Sequence, residues 1–175
     1  ESDLALIPRE IYIKRSTDNG SSWPGDPIVV SDARFSLPRT PDADTAIRPG
    51  RMFVDIAIDR RNDALYVVWE ELFGNLPQPL QIALSSSVDG GLTWSEKIRI
   101  DKTPPSDEVK LEQAFLPSVE VSEDGTIGIT YYNFENDTLG DSRADADVWF
   151  IHCHPDLADC LDASSWSDSI RLTPE

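Results

Sequence analysis

Short runs in which every second residue is apolar recur along this chain, and they indicate β-strands. In the run 80–86, leucine or isoleucine occupies positions 80, 82 and 84, with polar or small residues between them. This is the period-2 pattern of a strand. The runs 65–71 and 127–133 are rich in β-branched and aromatic residues, which strands favour. Amphipathic helical periodicity is not visible, so the pattern predicts an all-β fold.

The strand-like runs recur in a fixed order, which predicts a repeated unit of four strands. Predicted strands lie at 52–59, 65–71, 80–86 and 93–101 in a first full unit, and at 115–122, 127–133, 147–153 and 165–173 in a second. Tight turns rich in Asn, Asp and Gly join the first two strands of each unit. Consecutive antiparallel strands repeated in this way are typical of the blades of a β-propeller.

The units divide the chain into a half blade at 10–32, a blade at 51–101 and a blade at 114–174. We therefore expect residues 1–175 to form one partial β-propeller of four-stranded antiparallel blades. Two and a half blades cannot close a ring, and the unpaired strand edges at both ends invite association. The chain is accordingly expected to be a fragment of a longer protein, or to self-associate through these open edges.

A short motif, Ser-x-Asp-x-Gly-x-(Ser/Thr)-Trp, occurs twice between the third and fourth predicted strands. The aspartate can accept hydrogen bonds from its own turn, the glycine allows a positive φ, and the tryptophan can bury its indole across the hairpin or against the next blade. The motif residues with these predicted structural roles are Ser16, Asp18, Gly20, Trp23, Ser87, Asp89, Gly91 and Trp94.

A catalytic or metal-binding role for the motif aspartates is disfavoured, because identical positions in successive blades point outward around a ring. The third copy supports a structural role. Trp166 keeps the period, but Asp159, Leu161 and Ala163 stand at the Ser, Asp and Gly positions of the motif, and a segment containing Cys153 and Cys160 occupies its place. A disulfide between these cysteines can fix the turn instead, with two free thiols as the alternative.

The motif resembles the Asp-box, or bacterial neuraminidase repeat, and the chain is similar to the sialidase (neuraminidase) superfamily of β-propellers from residue 11 to residue 173. This resemblance implies a six-bladed propeller with a site at the centre of one face. It also implies an arginine triad, an Asp acid/base and a Tyr nucleophile paired with a Glu. The Arg-Ile-Pro sequence of the first arginine is absent, since 6–9 and 47–50 have a different order, so no catalytic residue is carried over.

Loop lengths indicate which face can hold a site. The connections 31–51, 70–79, 102–114 and 134–146 are long and emerge on one face, whereas the opposite turns are tight. Long loops on a rigid scaffold commonly carry function. The candidates for catalysis or ligand binding on this face are Asp55, Glu70, Tyr131 and Arg48.

Each of these candidates also has an ordinary structural explanation. A tyrosine beside a carboxylate can be an activated nucleophile, and an arginine can hold a carboxylate with two hydrogen bonds. Alternatively, Trp69, Tyr131 and Tyr132 pack between blades, Glu70 and Glu71 meet solvent, and the arginine forms a surface ion pair.

The composition limits the partners. The chain is 39% hydrophobic and 27% charged, with a net charge of −17 and a pI of about 4.3. Nucleic-acid binding needs clustered Lys and Arg, and membrane insertion needs a long apolar run, so neither is expected. The acidic excess indicates a well-solvated surface or calcium binding, and the candidate calcium ligands are Asp137, Asp141, Asp145 and Asp147. A plain acidic loop is the alternative, and no cofactor is required.

The sequence therefore leaves two functions open. The first is a secreted or cell-surface sialidase-like segment that binds glycans or belongs to a glycoside hydrolase. The second is a non-catalytic structural or adhesion module that binds protein partners. Both place the chain outside the cell or at its surface, with a glycan or cell-surface ligand as the partner.

Overall fold

A computed structural model describes residues 9–34, 36–47, 52–74, 78–141 and 143–174. This part of the chain contains ten strands and one short 3-10 helix, Ala163–Ser165, but no α-helix. The strands are β1 (Arg9–Ile13), β2 (Ile28–Ala33), β3 (Val54–Asp59), β4 (Ala64–Glu71), β5 (Gln81–Ser87), β6 (Ile98–Arg99), β7 (Ala114–Val121), β8 (Ile127–Asn133), β9 (Asp147–Cys153) and β10 (Ile170–Arg171). The expectation of an all-β fold with antiparallel sheets is confirmed.

The strands form three sheets in chain order. Sheet I pairs β1 with β2, sheet II has the order β3-β4-β5-β6, and sheet III has the order β7-β8-β9-β10. Every pairing is antiparallel. Positive φ angles at Asp63 (63°) and Gly125 (91°) close the tight turns that join the first two strands of sheets II and III, as such hairpins require.

The fourth strands are shorter than the sequence pattern predicts, because a serine side chain replaces part of each ladder. In sheet II, Ser95 N donates to Ser86 O (2.9 Å), and Ser86 N donates to Ser95 Oγ rather than to a carbonyl (3.0 Å). The same arrangement joins Ser167 and His152 in sheet III, at 2.9 and 3.0 Å. The shared Trp-Ser sequence therefore marks a side-chain bridge just before each short strand.

Two hydrophobic cores hold the three sheets face to face. One core lies between sheets II and III and includes Val68, Ile82 and Leu84 on one side and Ile129 and Ile151 on the other. The second core lies between sheets I and II. Because β4 and β5 in the middle of sheet II are covered on both faces, all residues of β5 are buried, even though the sequence of this strand alternates between apolar and polar residues.

Arg61, in the turn between β3 and β4, links sheet II to the turn between β7 and β8 and to the segment after β9. Arg61 Nη2 lies 2.8 Å from the buried carboxylate of Asp59, and Arg61 Nη1 lies 2.8 Å from Asp156 Oδ2. The guanidinium lies against the backbone of Gly125, where an added Cβ would fall 1.6 Å from Arg61 Nη2. Gly125 is therefore needed both for its positive φ and for the space that the arginine fills.

We expect Gly125→Ala to lower the free energy of unfolding by about 1–3 kcal/mol, because the methyl group both strains the backbone and displaces Arg61 from its ion pairs. Urea denaturation measures the change. Gly140→Ala is the matched control, since Gly140 has a similar φ of +90° but no atom within 4 Å of the added Cβ. Equal losses in the two variants would show that the packing of Arg61 contributes nothing.

Candidate functional site

The motif aspartates organise their own turns. Asp89 Oδ1 accepts hydrogen bonds from the backbone N–H groups of Leu92 and Thr93 (both 2.9 Å), and Asp89 Oδ2 accepts one from Thr93 Oγ1 (2.7 Å). Ser87 Oγ donates to the same carboxylate (2.8 Å) and accepts from Gly91 N (2.8 Å). Each bond joins residues two to four positions apart, so the motif is a closed local network.

The first copy of the motif has nearly the same network. Asp18 accepts from Ser16 Oγ (2.6 Å), Ser22 N (2.8 Å) and Ser22 Oγ (2.5 Å). The serine hydroxyls, Ser16 first, lower the pKa of Asp18 to about 2, and the Thr93 hydroxyl in the same way holds the pKa of Asp89 well below its usual range. Both carboxylates are thus ionised acceptors that organise a turn.

The three repeat tryptophans differ in burial. Trp166 is buried and donates from Nε1 to Cys160 O (3.0 Å), and Trp94 packs against the core between sheets I and II. Trp23 is 54% exposed, in contrast to the buried indole that the sequence predicts. Trp94, of sheet II, packs at the core that sheet II shares with sheet I. The described residues contain no sheet before sheet I, so Trp23 has no equivalent core to pack against.

A disulfide joins Cys153 and Cys160, with their Cα atoms 5.9 Å apart. Both cysteines are buried, and they belong to the core between sheets II and III. The disulfide closes the segment that occupies the motif position in sheet III. The Trp166 indole donates a hydrogen bond to Cys160 O at the end of this segment. A covalent link therefore stands where the first two copies have a hydrogen-bonded aspartate.

Asp55 lies at the edge of sheet II, beside a groove of about 640 Å³ between β3 and β7. Its Oδ2 accepts hydrogen bonds from Ser118 Oγ (2.8 Å) and Val119 N (3.0 Å) of sheet III. The side chain is half-buried. Among the sequence candidates that the structure describes, Asp55 alone combines a position on a groove with partial exposure, but its carboxylate already joins two sheets.

Glu70 and Glu71 are both fully buried, so the expectation that they meet solvent is wrong. β4 is covered on both faces, and consecutive strand residues point to opposite faces. Glu70 Oε1 accepts from Leu116 N of sheet III (2.8 Å). Leu116 has a φ of 52° and lies in a β-bulge between Phe115 and Ser118, so Glu70 satisfies an amide that the bulge removes from the ladder.

Glu71 faces the opposite way, towards sheet I. Its carboxylate accepts hydrogen bonds from Arg34 N (3.0 Å) and Trp69 Nε1 (2.7 Å), and Lys97 Nζ lies 3.3 Å away. Burial raises the pKa of Glu71, and these donors oppose the shift. Glu70 and Glu71 therefore connect sheet II to the sheets on either side of it.

Tyr131 is buried in the core between sheets II and III. Its hydroxyl accepts a hydrogen bond from Lys102 N (3.1 Å). Burial raises the pKa of Tyr131 far above its ordinary value, which is the opposite of the change that activates a tyrosine nucleophile. Tyr132, the next residue, is partly exposed and stacks on Phe115 with ring centroids 6.0 Å apart.

A cavity of about 250 Å³ lies among the long loops, and sequence reasoning did not find it. Its lining residues are Ser36, Leu37, Arg39, Asp44, Leu72, Gln78, Pro79, Leu80, Val109, Lys110 and Gln113. Except for Leu80, they come from three of the long connections, whose length is visible in the sequence, but no motif identifies them. Arg48, the arginine candidate, lies outside the described residues.

Buried Gln113 holds two of these loops together. Its Oε1 accepts from Arg39 N (2.9 Å), and its Nε2 donates to Arg39 O (2.9 Å) and Lys110 O (2.7 Å). This places two cations at the cavity rim around one carboxylate. Asp44 Oδ1 lies 2.8 Å from Arg39 Nε and 3.5 Å from Lys110 Nζ. The hydrogen bond from Arg39 lowers the pKa of Asp44, so the carboxylate between them is ionised.

The acidic loop between β8 and β9 distributes its carboxylates over separate contacts. Asp147 bonds Thr173 Oγ1 (2.6 Å) and Arg171 Nη2 (2.8 Å), while Asp137 Oδ1 accepts from Asp145 N (2.9 Å). Asp141 and Asp145 pair with Arg143, at 3.3 and 3.2 Å. In the described ranges, no three Asp, Glu, His or Cys side chains are placed to share a metal ion. Calcium binding by this loop stays a prediction from the sequence.

No family model and no curated protein matches the sequence. Solved structures do match. One is "Hadza microbial sialidase Hz136", which superposes with a TM-score of 0.54 at 18% sequence identity, over 91% of this chain and 32% of that one. At this identity the likeness concerns the fold alone. The chain has a sialidase-like fold, and it spans about a third of the length of that sialidase.

In the ranges that the structure describes, no helix has the length and apolar character needed to cross a bilayer. Asp55, Glu70 and Tyr131 lie at or near the interface between sheets II and III. Each of them contacts a backbone amide of a neighbouring segment.

The motif aspartates predict a loss of stability in acid. A carboxylate whose pKa is lower in the folded state adds stability above its unfolded pKa of about 3.9, and this stability is lost as the pH falls through the folded value. For Asp18 that value is about 2. We expect the free energy of unfolding to fall between about pH 4 and pH 2, and the fall to be smaller in Asp89→Asn.

Urea denaturation at a series of pH values measures this effect. Asp107→Asn is the matched control, because Asp107 is exposed in the loop before β7. It should keep the wild-type pH profile. An Asp89→Asn variant with the full acid-dependent loss would show that the motif carboxylates do not contribute.

Glu70 is expected to be a structural residue. Glu70→Ala leaves the Leu116 amide without its acceptor and opens a cavity between sheets II and III, so we expect the free energy of unfolding to fall by about 2–4 kcal/mol. Glu120→Ala, at an exposed strand position, should change it little. Thermal and urea unfolding of the two variants test this, and an unchanged stability of Glu70→Ala would contradict the structural role.

Proposed function

We propose that the chain is a segment of a secreted or cell-surface β-propeller of the sialidase type, and that it binds glycans through its long-loop face. The sialidase-like fold, the stacking of three antiparallel sheets in chain order and the internal repeat support a propeller with two and a half blades in this chain. A disulfide is typical of proteins outside the reducing cytosol, which supports the location.

Binding is better supported than hydrolysis for this segment. A catalytic carboxylate or tyrosine needs access to substrate and a pKa suited to its task. Glu70 and Tyr131 are fully buried, and Tyr131 has a raised pKa. The carboxylate of Asp55 accepts a hydrogen bond from the Val119 amide of the next sheet. In the described residues, the sequence candidates are therefore occupied with holding the sheets together.

The cavity among the long loops is the observation that carries the proposal. It has an apolar floor formed by Leu72, Leu80 and Val109 and a polar rim, the composition that small-ligand sites favour. The rim places Arg39 and Lys110 around one carboxylate, that of Asp44. A carboxylate-bearing sugar can take the place of the Asp44 side chain, and its ring can then cover the apolar floor.

Asp44 is suited to such an exchange. Its side chain is more than half exposed, and its backbone φ of 50° places it in a tight turn. The bond from Arg39 is therefore an exposed ion pair, whose contribution to stability is small. Replacing it by an equivalent carboxylate of a ligand costs little, so the ligand class that we propose is an acidic glycan.

Glycan-array binding followed by calorimetry with the strongest acidic glycan tests the proposal. We expect Arg39→Ala to weaken binding by about tenfold or more, as expected for the loss of a charge-assisted hydrogen bond, and Asp44→Ala to strengthen it by removing the competing carboxylate. Arg143→Ala is the matched control, because Arg143 pairs with two exposed-loop aspartates in the same way. It should bind as the wild type does.

Two outcomes would contradict this function. If Arg39→Ala and the wild type bound the glycan equally well, the cavity rim would not be the binding site. Turnover of a fluorogenic sialoside by the 175-residue chain that is lost in Asp55→Asn would make the segment catalytic in its own right.

A further inference from the structure

The first copy of the motif contains an asparagine followed directly by a glycine. The residue before the motif glycine has a positive φ in both copies, 56° at Asn19 and 70° at Gly90. Glycine and asparagine adopt this conformation more readily than other residues do. Because glycine occupies the next motif position, an asparagine here creates the dipeptide Asn19-Gly20. No other asparagine of the sequence precedes a glycine.

This dipeptide carries the groups for a reaction of the chain with itself. The backbone nitrogen that follows an asparagine can attack the carbonyl carbon of the asparagine side chain, and glycine hinders this attack least because it has no Cβ. Asn19 and Gly20 are both exposed, in the turn between β1 and β2, so water and base reach them. Within the described residues, the side-chain amide of Asn19 makes no hydrogen bond that would hold it away from this nitrogen.

The hydroxyl of Ser16 controls the attacking nitrogen. Gly20 N donates to Ser16 Oγ (2.8 Å), and Ser16 Oγ donates to Asp18 Oδ1 (2.6 Å). The nitrogen can attack only after it has left this hydrogen bond and lost its proton. The folded turn must therefore open before the reaction, and the reaction rate follows the fraction of time for which the turn is open.

We propose that Asn19 is a deamidation site whose rate is set by the Ser16 hydroxyl. The Gly20 nitrogen forms a bond to Cγ of Asn19, its proton passes to a base in the solvent, and the side-chain nitrogen leaves as ammonia. The product is a five-membered succinimide ring. One water molecule then opens the ring at either of its two carbonyl carbons, which yields aspartate or isoaspartate at this position. The reaction depends on neither the glycan ligand nor the propeller proposed above.

Either product weakens the first motif turn. A second carboxylate then lies beside that of Asp18, whose pKa of about 2 keeps it ionised, and like charges at this distance repel each other. Isoaspartate also adds one methylene group to the backbone between Ser16 and Gly20, so that the hydrogen bond between these two residues no longer fits. In the second copy, Gly90 has no side-chain amide to react. The first motif turn therefore opens irreversibly with time, whereas the second does not.

Peptide mapping by mass spectrometry tests this reaction on the folded 175-residue chain in mildly alkaline buffer. We expect deamidation at Asn19 before Asn62 or Asn136, which are also exposed but precede aspartate. Ser16→Ala should accelerate the reaction at Asn19 by about two- to tenfold, because a hydrogen bond of ordinary strength no longer holds the Gly20 nitrogen. Ser16→Thr keeps a hydroxyl and should restore the slow rate. In urea, which unfolds the turn, the wild type and Ser16→Ala should react equally fast.

Hydrogen exchange measures the consequence for the turn. After incubation, residues 16–23 of the wild type should lose protection, whereas residues 87–94 should keep it. Asn19→Gly, which copies the second motif, should keep protection in both segments. Thr17→Ala is the matched control, because Thr17 is exposed in the same turn, and it should react at the wild-type rate.

Four results would overturn the proposal. They are earlier deamidation at Asn62 or Asn136, equal rates in the folded wild type and folded Ser16→Ala, a difference between these two that persists in urea, and an equal loss of protection in Asn19→Gly. If Ser16→Ala does not fold, the wild type decides alone, since equal rates in buffer and in urea would show that the turn gives no protection. None of these measurements involves a glycan, so this proposal and the proposed function can fail separately.

Discussion

Carboxylates at the sheet interfaces that accept hydrogen bonds from backbone N–H groups of a neighbouring sheet are the interaction on which this structure depends. Glu71 binds the Arg34 amide of sheet I, Glu70 binds the Leu116 amide of sheet III, and Asp55 binds the Val119 amide of sheet III. A hydrophobic interface between two sheets does not define their relative position sharply, because apolar contact is not directional. A carboxylate that must satisfy one particular amide does, because leaving either partner buried and unpaired is costly.

This constraint explains why the acidic catalytic candidates in the sequence, Asp55 and Glu70, instead join neighbouring sheets. Acidic residues near strand ends are the residue types that a glycoside hydrolase uses for catalysis. The same residue types can also accept hydrogen bonds from a neighbouring sheet and so hold two stacked sheets together. Composition does not separate the two roles. Burial separates them: Glu70 is buried at the sheet interface, whereas the side chains of Arg39 and Asp44 are partly exposed.

The two repeat units keep an arginine–aspartate ion pair, but the aspartate comes from a different position in each unit. Arg99 of sheet II pairs with Asp101 two residues further on, whereas the corresponding Arg171 of sheet III pairs with Asp147 on the adjacent strand. The arginine is therefore neutralised in both sheets, by a carboxylate that follows the fourth strand in sheet II and by one on the third strand in sheet III. A comparison of the two units by sequence finds the shared Trp-Ser-x-x-Ile-Arg segment but not this exchange of partner, because the partners meet only when the strands pair.

The sequence by itself determined the features that arise within a few residues: the strands, the tight turns, the repeat of four strands and the hydrogen-bonded motif around Asp18 and Asp89. These depend on alternation, on positive φ angles and on bonds between residues two to four positions apart, all of which are local. Only the tertiary structure decided the burial of Glu70 and Glu71, the exposure of Trp23, and the cavity beside Arg39. Each of these depends on which sheet or loop lies opposite, and alternation along a strand does not say whether one of its faces or both will be covered.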